Sequence, residues 1–142
     1  MNLEKILKDH ERWFKSKGEI GVKADLCGAN LKRVNLRGRC LVEAQLQGAL
    51  LIEADLRKSD LRGANLQDSR LRRASLDNAN LEETDFMWAD LQGTHLNSAN
   101  FNGTYLQGAD LRETSGLTLE QISVALVDEN TILPEGLRKT LS

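Results

Sequence analysis

A five-residue repeat dominates this chain and limits what it can fold into. From Leu26 to Leu111 every fifth residue is Leu or Phe, which makes 18 centres: 16 Leu together with Phe86 and Phe101. An α-helix turns about 500° in five residues, so a helix would scatter these side chains around its axis. A flat strand fails as well, because an odd period moves each successive centre to the opposite face. The period therefore predicts a coil in which each five-residue unit forms one short side.

The residues around each centre fit short sides joined by tight corners. The position two before the centre is small in all units but two, with 11 Ala, two Ser and three Thr, and the exceptions are Val34 and Arg39. The position just before the centre is Asp or Asn in 11 units, and we expect these side chains to bond to the local backbone. The second position after the centre is Gly in seven units, which favours a turn there. Arg39 is expected to reach out beside the N-terminal helix, because a buried guanidinium without a partner would be costly.

With these features the chain resembles the pentapeptide-repeat family, whose unit is written A-(D/N)-L-x-x. The resemblance covers residues 24–113. It implies an all-β solenoid, a right-handed quadrilateral (four-sided) β-helix of about 4.5 coils. The flanking segments are expected to add short α-helical caps at both ends. Units twenty residues apart would then stack on one another. One column of the structural core would consist of Leu26, Leu46, Leu66, Phe86 and Leu106.

The segment before the repeat is predicted to cap the first coil. We assign residues 1–22 to an N-terminal amphipathic helix cap. Helical spacing is followed by Leu3, Ile6, Leu7, His10 and Phe14. Trp13 and Phe14 are expected to plug the open end of the first coil.

The segment after the repeat is predicted to cap the other end. The repeat proper is assigned to residues 23–114, and residues 115–142 to a C-terminal helix and tail cap. Thr118 with Gln121 resembles a capping box. This predicts a helix with Leu119, Ile122 and Leu126 on one face.

No constellation of residues in the chain points to catalysis. His10 and His95 lie on different elements without a Cys or His at metal-ligand spacing, so both are expected to be solvated or locally bonded. Cys27 and Cys40 are not twenty residues apart, which argues against a disulfide between them, and two cysteines fit a reducing cytosol. Phosphate loops, nucleophile elbows and zinc signatures are absent from the sequence. We therefore predict a non-enzymatic protein with no catalytic residue, cofactor or metal.

The charges nearly cancel over the chain but are distributed unevenly along it. A total of 19 Lys and Arg against 21 Asp and Glu argues against direct nucleic-acid binding. Residues 24–73 carry 10 basic and 6 acidic side chains, whereas residues 74–113 carry 1 basic and 7 acidic ones. Arg33, Glu53 and Arg73 are spaced to pair between coils, and a solvated face explains most of the rest. No stretch reaches the roughly 18 apolar residues of a membrane span.

One corner of the predicted coil carries apolar side chains instead of charges. Trp88 fills the position that Gly28, Gly48 and Gly108 fill in the stacked units. The candidate partner-binding patch consists of Leu50, Ile52, Met87 and Trp88. The alternative interpretations are scattered exposure of single apolar residues and packing against the returning C-terminal tail.

With no site inside the coil, the outside is where function is expected. We predict a cytoplasmic scaffold that acts through protein–protein interaction with a protein partner, as a monomer or as a weak homodimer through one end. The resemblance supplies an alternative, because some pentapeptide-repeat proteins mimic DNA and bind a type II topoisomerase such as gyrase. Those relatives are acidic along the rod, whereas the first half of this repeat is positively charged.

Overall fold

A computed structural model describes residues 1–141, with side chains as far as residue 138. Ser142, the last residue of the predicted C-terminal cap, lies outside the described residues. The helices of this part are α1 (Leu3–Lys15), α2 (Leu119–Ser123) and α3 (Glu135–Leu141). Between α1 and α2 the chain forms a β-helical solenoid, in which isolated parallel bridges join successive turns.

The bridges join residues that lie 20 positions apart, from Asp25–Gln45 to His95–Ser115. At Gln45, for example, the N–H donates to the carbonyl of Ala24 at 3.0 Å, and the carbonyl accepts from the N–H of Leu26 at 2.7 Å. Because a bridging residue recurs every five positions, each short side is tied to the sides before and after it. The buried backbone is thereby hydrogen-bonded without a long strand.

The interior of the solenoid is filled by the repeat centres and the small residues beside them. The column of Leu26, Leu46, Leu66, Phe86 and Leu106 is at most 1% exposed. Full burial of one such side chain contributes about 1.5–3 kcal/mol before conformational entropy is considered.

The row of small residues two positions before the centres, here called the small row, includes buried Ser and Thr. Their hydroxyl groups donate hydrogen bonds to backbone carbonyls. Thr84 Oγ1 donates to the carbonyl of Leu61 at 2.7 Å, and Ser59 Oγ donates to the carbonyl of Leu56 at 2.7 Å. Ser and Thr can therefore replace Ala in this row without leaving an unpaired polar group in the core.

The N-terminal cap differs from the sequence prediction in its plug. Leu7 and His10 are the buried residues of α1. Trp13 is half-buried with its ring stacked on that of His10 at a centroid distance of 5.4 Å. Phe14 is 37% exposed and lies against the Arg62 guanidinium. The prediction that Trp13 and Phe14 plug the first turn of the solenoid is wrong. The part of α1 that covers the interior is the preceding helical turn, which carries Leu7 and His10.

Arg39 behaves as predicted for an exception in the small row. Its Nη1 pairs with Glu4 Oε1 of α1 at 3.1 Å, and its side chain is 29% exposed. This contact joins the first turn of the solenoid to the start of the cap helix, where Asn2 Oδ1 accepts from the N–H of Lys5.

The side chain of His10, on α1, is fully buried and is hydrogen-bonded to the first turn of the solenoid. Its Nδ1 accepts a hydrogen bond from the N–H of Ala24 at 2.9 Å, which requires a neutral ring protonated at Nε2. Nε2 is buried without a hydrogen-bond partner, close to the backbone of Val42. Desolvation lowers the pKa of His10, Lys23 acts in the same direction, and Val42 and Glu43 oppose them. Of the two expectations for this residue, local bonding is the one observed.

The C-terminal segment continues the ladder past the repeat. Leu126 bridges to Tyr105, and Ile132 bridges to Asp110. The capping box of Thr118 and Gln121 is present, as predicted. Gln121 also donates from Nε2 to the carbonyls of Leu96 and Ala99, which fixes α2 to the last turn.

The predicted helical face of the C-terminal cap is wrong in part. Helix α2 ends at Ser123, so Leu126 belongs to the ladder and not to the helix. Ile122 is buried, whereas Leu119 is 39% exposed. The helix ends early because the chain extends at Leu126, where its N–H donates to the carbonyl of Thr104 at 2.8 Å.

We expect the stability of the protein to fall as the pH drops below about 6.5, the usual pKa of histidine. The lowered pKa of His10 means that the unfolded chain takes up this proton before the folded one does. The free energy of unfolding therefore decreases as the pH is lowered, until the folded state is protonated as well. Urea unfolding at pH 7.5 and pH 5.5 measures the effect.

His10→Gln is the matched control, because its side chain can accept from Ala24 but does not titrate. It should lose less stability between the two pH values than the wild type. An identical pH dependence of the two proteins would contradict the assignment to His10.

Candidate protein-interaction surface

The row of Asp and Asn side chains is occupied by backbone hydrogen bonds. All eleven accept a bond at Oδ1 from the N–H two residues further on, as predicted; they are Asp25, Asn30, Asn35, Asp55, Asp60, Asn65, Asn80, Asp85, Asp90, Asn100 and Asp110. Each bond closes the corner that follows it. This row therefore builds turns, and its carboxylates are not placed as acid–base pairs.

Several arginines are paired with these carboxylates or across turns. Arg57 binds Asp55 through Nε and Nη2 at 2.8 and 2.7 Å, and this hydrogen bonding lowers the pKa of Asp55 to about 2. Glu53 bridges Arg33 and Arg73, which lie one turn before and after it, as predicted. Exposed pairs of this kind contribute about 0–1 kcal/mol each. The positive charges of Arg33, Arg57 and Arg73 are thus partly neutralised by the chain itself.

The corner position of Trp88 is the same in every unit. The second residue after each of the 18 centres has a positive φ, and seven of these residues are Gly. Trp88 has φ 60°. A residue other than Gly in this left-handed conformation costs about 1–2 kcal/mol. Local backbone preference therefore does not explain a tryptophan at this corner.

The indole of Trp88 lies against the next turn at Gly108. A Cβ added at Gly108 would overlap with the Cδ2, Cε3 and Cζ3 atoms of the ring. The backbone N–H of Trp88 donates to the backbone carbonyl of Gln107 at 3.0 Å, and this bond holds the two corners against each other. The side chain nevertheless stays 55% exposed. The C-terminal residues that the structure describes continue the ladder and leave this part of the side chain exposed.

The structure divides the candidate patch into two parts. Met87 is half-buried and adjoins Trp88. Leu50 and Ile52 are half-buried as well, but the ladder runs from Leu50 through Arg70 to Asp90, so they lie two turns away. At about 4.8 Å between stacked strands, this separation is roughly 10 Å along the solenoid. Only Met87 and Trp88 are brought together, and we call these two residues with Gly108 the Trp88 surface.

Sequence reasoning did not identify two features of this region. Gly108 stands directly after Trp88 in the column of residues 20 apart, and that spacing could have revealed a glycine that makes room for the ring. Exposed apolar residues also surround the end of the ladder: Tyr105, Val124, Leu126 and Val127 are 38–46% exposed. Tyr105 stands inside the repeat, just before a centre, and could have been found there. The other three could not, because the C-terminal segment does not follow the period.

The cysteines and histidines form no reactive group in the described part of the chain. Cys27 and Cys40 are free thiols. Burial raises the pKa of both, so neither is an activated nucleophile. His95 is exposed and its Nδ1 lies 2.7 Å from Ser115 Oγ. Within residues 1–141 no group of three His, Cys, Asp or Glu side chains is placed to hold a metal ion.

The helices that the structure describes are α1, α2 and α3, and the longest is α1 (Leu3–Lys15). None of these helices is long and apolar enough to cross a membrane.

Comparisons with known proteins agree with the geometry. The family model described as pentapeptide repeats (8 copies) matches residues 40–78, 54–93 and 79–115. A pentapeptide repeat protein from the thylakoid lumen of Arabidopsis thaliana is 30% identical with a TM-score of 0.66, over 69% of this chain and 68% of that chain. A trypsin-treated form of QnrB1, a plasmid-mediated fluoroquinolone resistance protein, is 16% identical with a TM-score of 0.55, over 85% of this chain and 67% of that chain. The likeness to QnrB1 concerns the fold alone. The search of curated proteins found no match.

Replacement of Gly108 by alanine is expected to destabilise the protein more than the same change at Gly48. Both glycines have a left-handed φ, 73° and 69°, so the backbone strain of alanine is similar at the two positions. An added Cβ meets no atom within 4 Å at Gly48, but it overlaps with the Trp88 ring at Gly108. Urea unfolding midpoints of Gly108→Ala and Gly48→Ala measure the difference, which we expect to exceed about 1 kcal/mol.

The excess loss at Gly108 should disappear when Trp88 is also replaced by glycine. Equal losses at the two glycines, or an excess that persists without the indole, would contradict the contact between Trp88 and Gly108.

Proposed function

Because the chain belongs to the pentapeptide-repeat family, we propose that it is a non-enzymatic β-helical scaffold whose role is to bind another protein. The observation that carries this proposal is the exposed indole of Trp88, held in place on Gly108. Many of the titratable side chains are instead engaged in turns and ion pairs of the solenoid, as at Asp85 and Asp55.

An indole with these properties is suited to a protein interface. Tryptophan is among the residues that contribute most to binding energy, and a side chain that is already ordered loses little entropy on association. Trp88 is ordered by its contact with the next turn and accepts a strained backbone conformation, while its outer side remains accessible. Met87 extends the apolar area beside it, whereas Leu50 and Ile52 would form a separate contact.

We infer further that the solenoid is right-handed and four-sided. Fifteen bridges connect residues 20 positions apart, and the bridging residues recur every five positions, so four bridges fit in one turn. With 18 repeat centres this corresponds to about four and a half turns between the cap segments 1–22 and 115–142.

Localisation and assembly complete the proposal. We expect the protein in the cytoplasm, on the basis of its two free cysteines, Cys27 and Cys40. The relative from the thylakoid lumen indicates that members of this family also occur elsewhere. For the assembly we retain a monomer or a weak homodimer through one end.

Affinity capture with the purified protein tests the proposed function directly. Trp88→Gly is expected to lose a partner that the wild type retains, at least ten-fold if Trp88 is a hot spot of about 2 kcal/mol. Lys58→Gly is the matched control, because Lys58 has the same left-handed φ of 60° and lies at another corner. It should retain the partner, and thermal unfolding should show that both variants are folded.

The proposal is rejected if Trp88→Gly and Lys58→Gly retain the same partners as the wild type. It is also rejected if no specific partner is found and the purified protein converts a metabolite.

A second candidate function is binding to a type II topoisomerase as a DNA mimic. The acidic character of residues 74–113 favours it, whereas the surplus of positive charge over residues 24–73 opposes it. A gyrase supercoiling assay with and without the protein separates the two candidates. The scaffold proposal expects unchanged supercoiling, and inhibition or protection of gyrase would favour the DNA mimic.

A further inference from the structure

The two sides of the Trp88 indole have different environments. Its inner side rests on Gly108, so the ring cannot turn toward the next corner without losing that contact. Its outer side contributes to the 55% exposure of the residue. The result is an aromatic face of fixed position that is open to a partner.

Carboxylates lie before and after this ring in the same column of corners. Asp68 stands one turn before Trp88, and its N–H donates to the carbonyl of Met87 at 3.1 Å. On the other side, Asp128 Oδ1 accepts from the N–H of Gly108 at 3.1 Å. With about 4.8 Å between turns, the indole is bracketed by two negative charges that are roughly 15 Å apart along the solenoid.

Neither of these carboxylates is paired with a cation of the described chain. Asp68 is exposed, and no ion pair or side-chain hydrogen bond reaches it. Asp128 accepts from the N–H groups of Gly108 and Asn130 and from the hydroxyl of Thr131. Although desolvation opposes it, this hydrogen bonding lowers the pKa of Asp128, so its charge is present at neutral pH.

The arginines of the neighbouring corner are already bound elsewhere. Arg72 Nε lies 2.6 Å from Asp90 Oδ2, and Arg112 forms a bidentate pair with Asp110. The half of the repeat that contains Trp88 has 7 acidic side chains and 1 basic one. Two carboxylates thus lie before and after the indole, and the exposed cation nearest to Asp68 along the chain is Arg70, two residues after it.

The surroundings of the ring decide between possible occupants. An apolar side chain of a partner would find few apolar contacts next to the ring, because the column of Met87 continues with Gln67 and Gln107. Of the exposed apolar residues at the end of the ladder, Tyr105 lies one turn and Leu126 two turns after the unit of Trp88. Leu50 lies two turns before that unit. A guanidinium can stack on an indole face and at the same time interact with a carboxylate beside it. Charge and ring geometry together favour a cation.

We propose that the Trp88 surface binds an arginine side chain in an extended segment of a partner protein. This inference rests on the proposed function and adds the chemistry of the partner. The guanidinium stacks on the outer face of the indole, and Asp68 and Asp128 attract it from the two sides.

The probe for this interaction is a blocked Gly-Arg-Gly-Arg-Gly peptide, with a second peptide that carries neutral citrulline in place of arginine. Calorimetric titration of the full chain gives the affinities. In a Trp13→Phe background Trp88 is the remaining tryptophan of the two in the chain, so its fluorescence reports binding at this site. We expect the arginine peptide to bind at least about five-fold more tightly than the citrulline peptide, with a loss of affinity at high salt.

Two variants separate the indole from its surroundings. Trp88→Leu keeps an apolar cover on Gly108 and removes the aromatic face, and it should weaken binding about five-fold. Asp68→Asn should weaken binding and reduce its salt dependence, whereas Glu82→Gln removes one exposed charge at another corner and should leave the affinity nearly unchanged.

Absence of binding, equal affinity for the two peptides, or full binding by Trp88→Leu would overturn the inference. Failure here is distinguishable from failure of the proposed function. If a partner is still captured in a Trp88-dependent manner while the arginine peptide does not bind, the scaffold function stands and its partner uses other chemistry.

Discussion

The backbone hydrogen bonds between residues 20 positions apart are the constraint on which the whole structure depends. Each short side contributes one bridging residue, so a side can be only a few residues long and must end in a sharp corner. The corner requires a residue with positive φ, and every one of the 18 units supplies it. Once turns are stacked in this way, the centres point inward and become buried, and every outer position has a fixed neighbour in the turn before and after.

This regularity explains why so little of the polar surface is available for chemistry. The Asp and Asn residues before the centres hold the corners through their Oδ1 atoms, and several arginines bind those same carboxylates. What remains for a partner are the corner positions whose side chains are not paired in this way. Trp88 occupies one of them, at the cost of a strained backbone, and rests on the only kind of residue that leaves room for its ring, the glycine at position 108.

The two ends of the solenoid solve the problem of an open ladder in different ways. At the beginning, α1 places Leu7 and His10 over the interior, and the imidazole takes the N–H of Ala24. At the other end, the chain extends the ladder through Leu126 and Ile132 and leaves apolar side chains half exposed. The first solution contains a titratable group and links the cap to pH, whereas the second adds two further bridges to the ladder.

The sequence by itself determined the solenoid, its inward centres, the turn role of Asp and Asn, and the outward position of Trp88. It could do so because the 18 units have similar residue types at corresponding positions, so each unit predicts the same local structure. Only the tertiary structure decided which residues of α1 plug the first turn, that Leu126 joins the ladder, and that Leu50 and Ile52 lie apart from Trp88. It also decided that the indole rests on Gly108 between Asp68 and Asp128. Those features depend on how a helix docks and on where one side chain packs between turns, and a local repeat does not encode either.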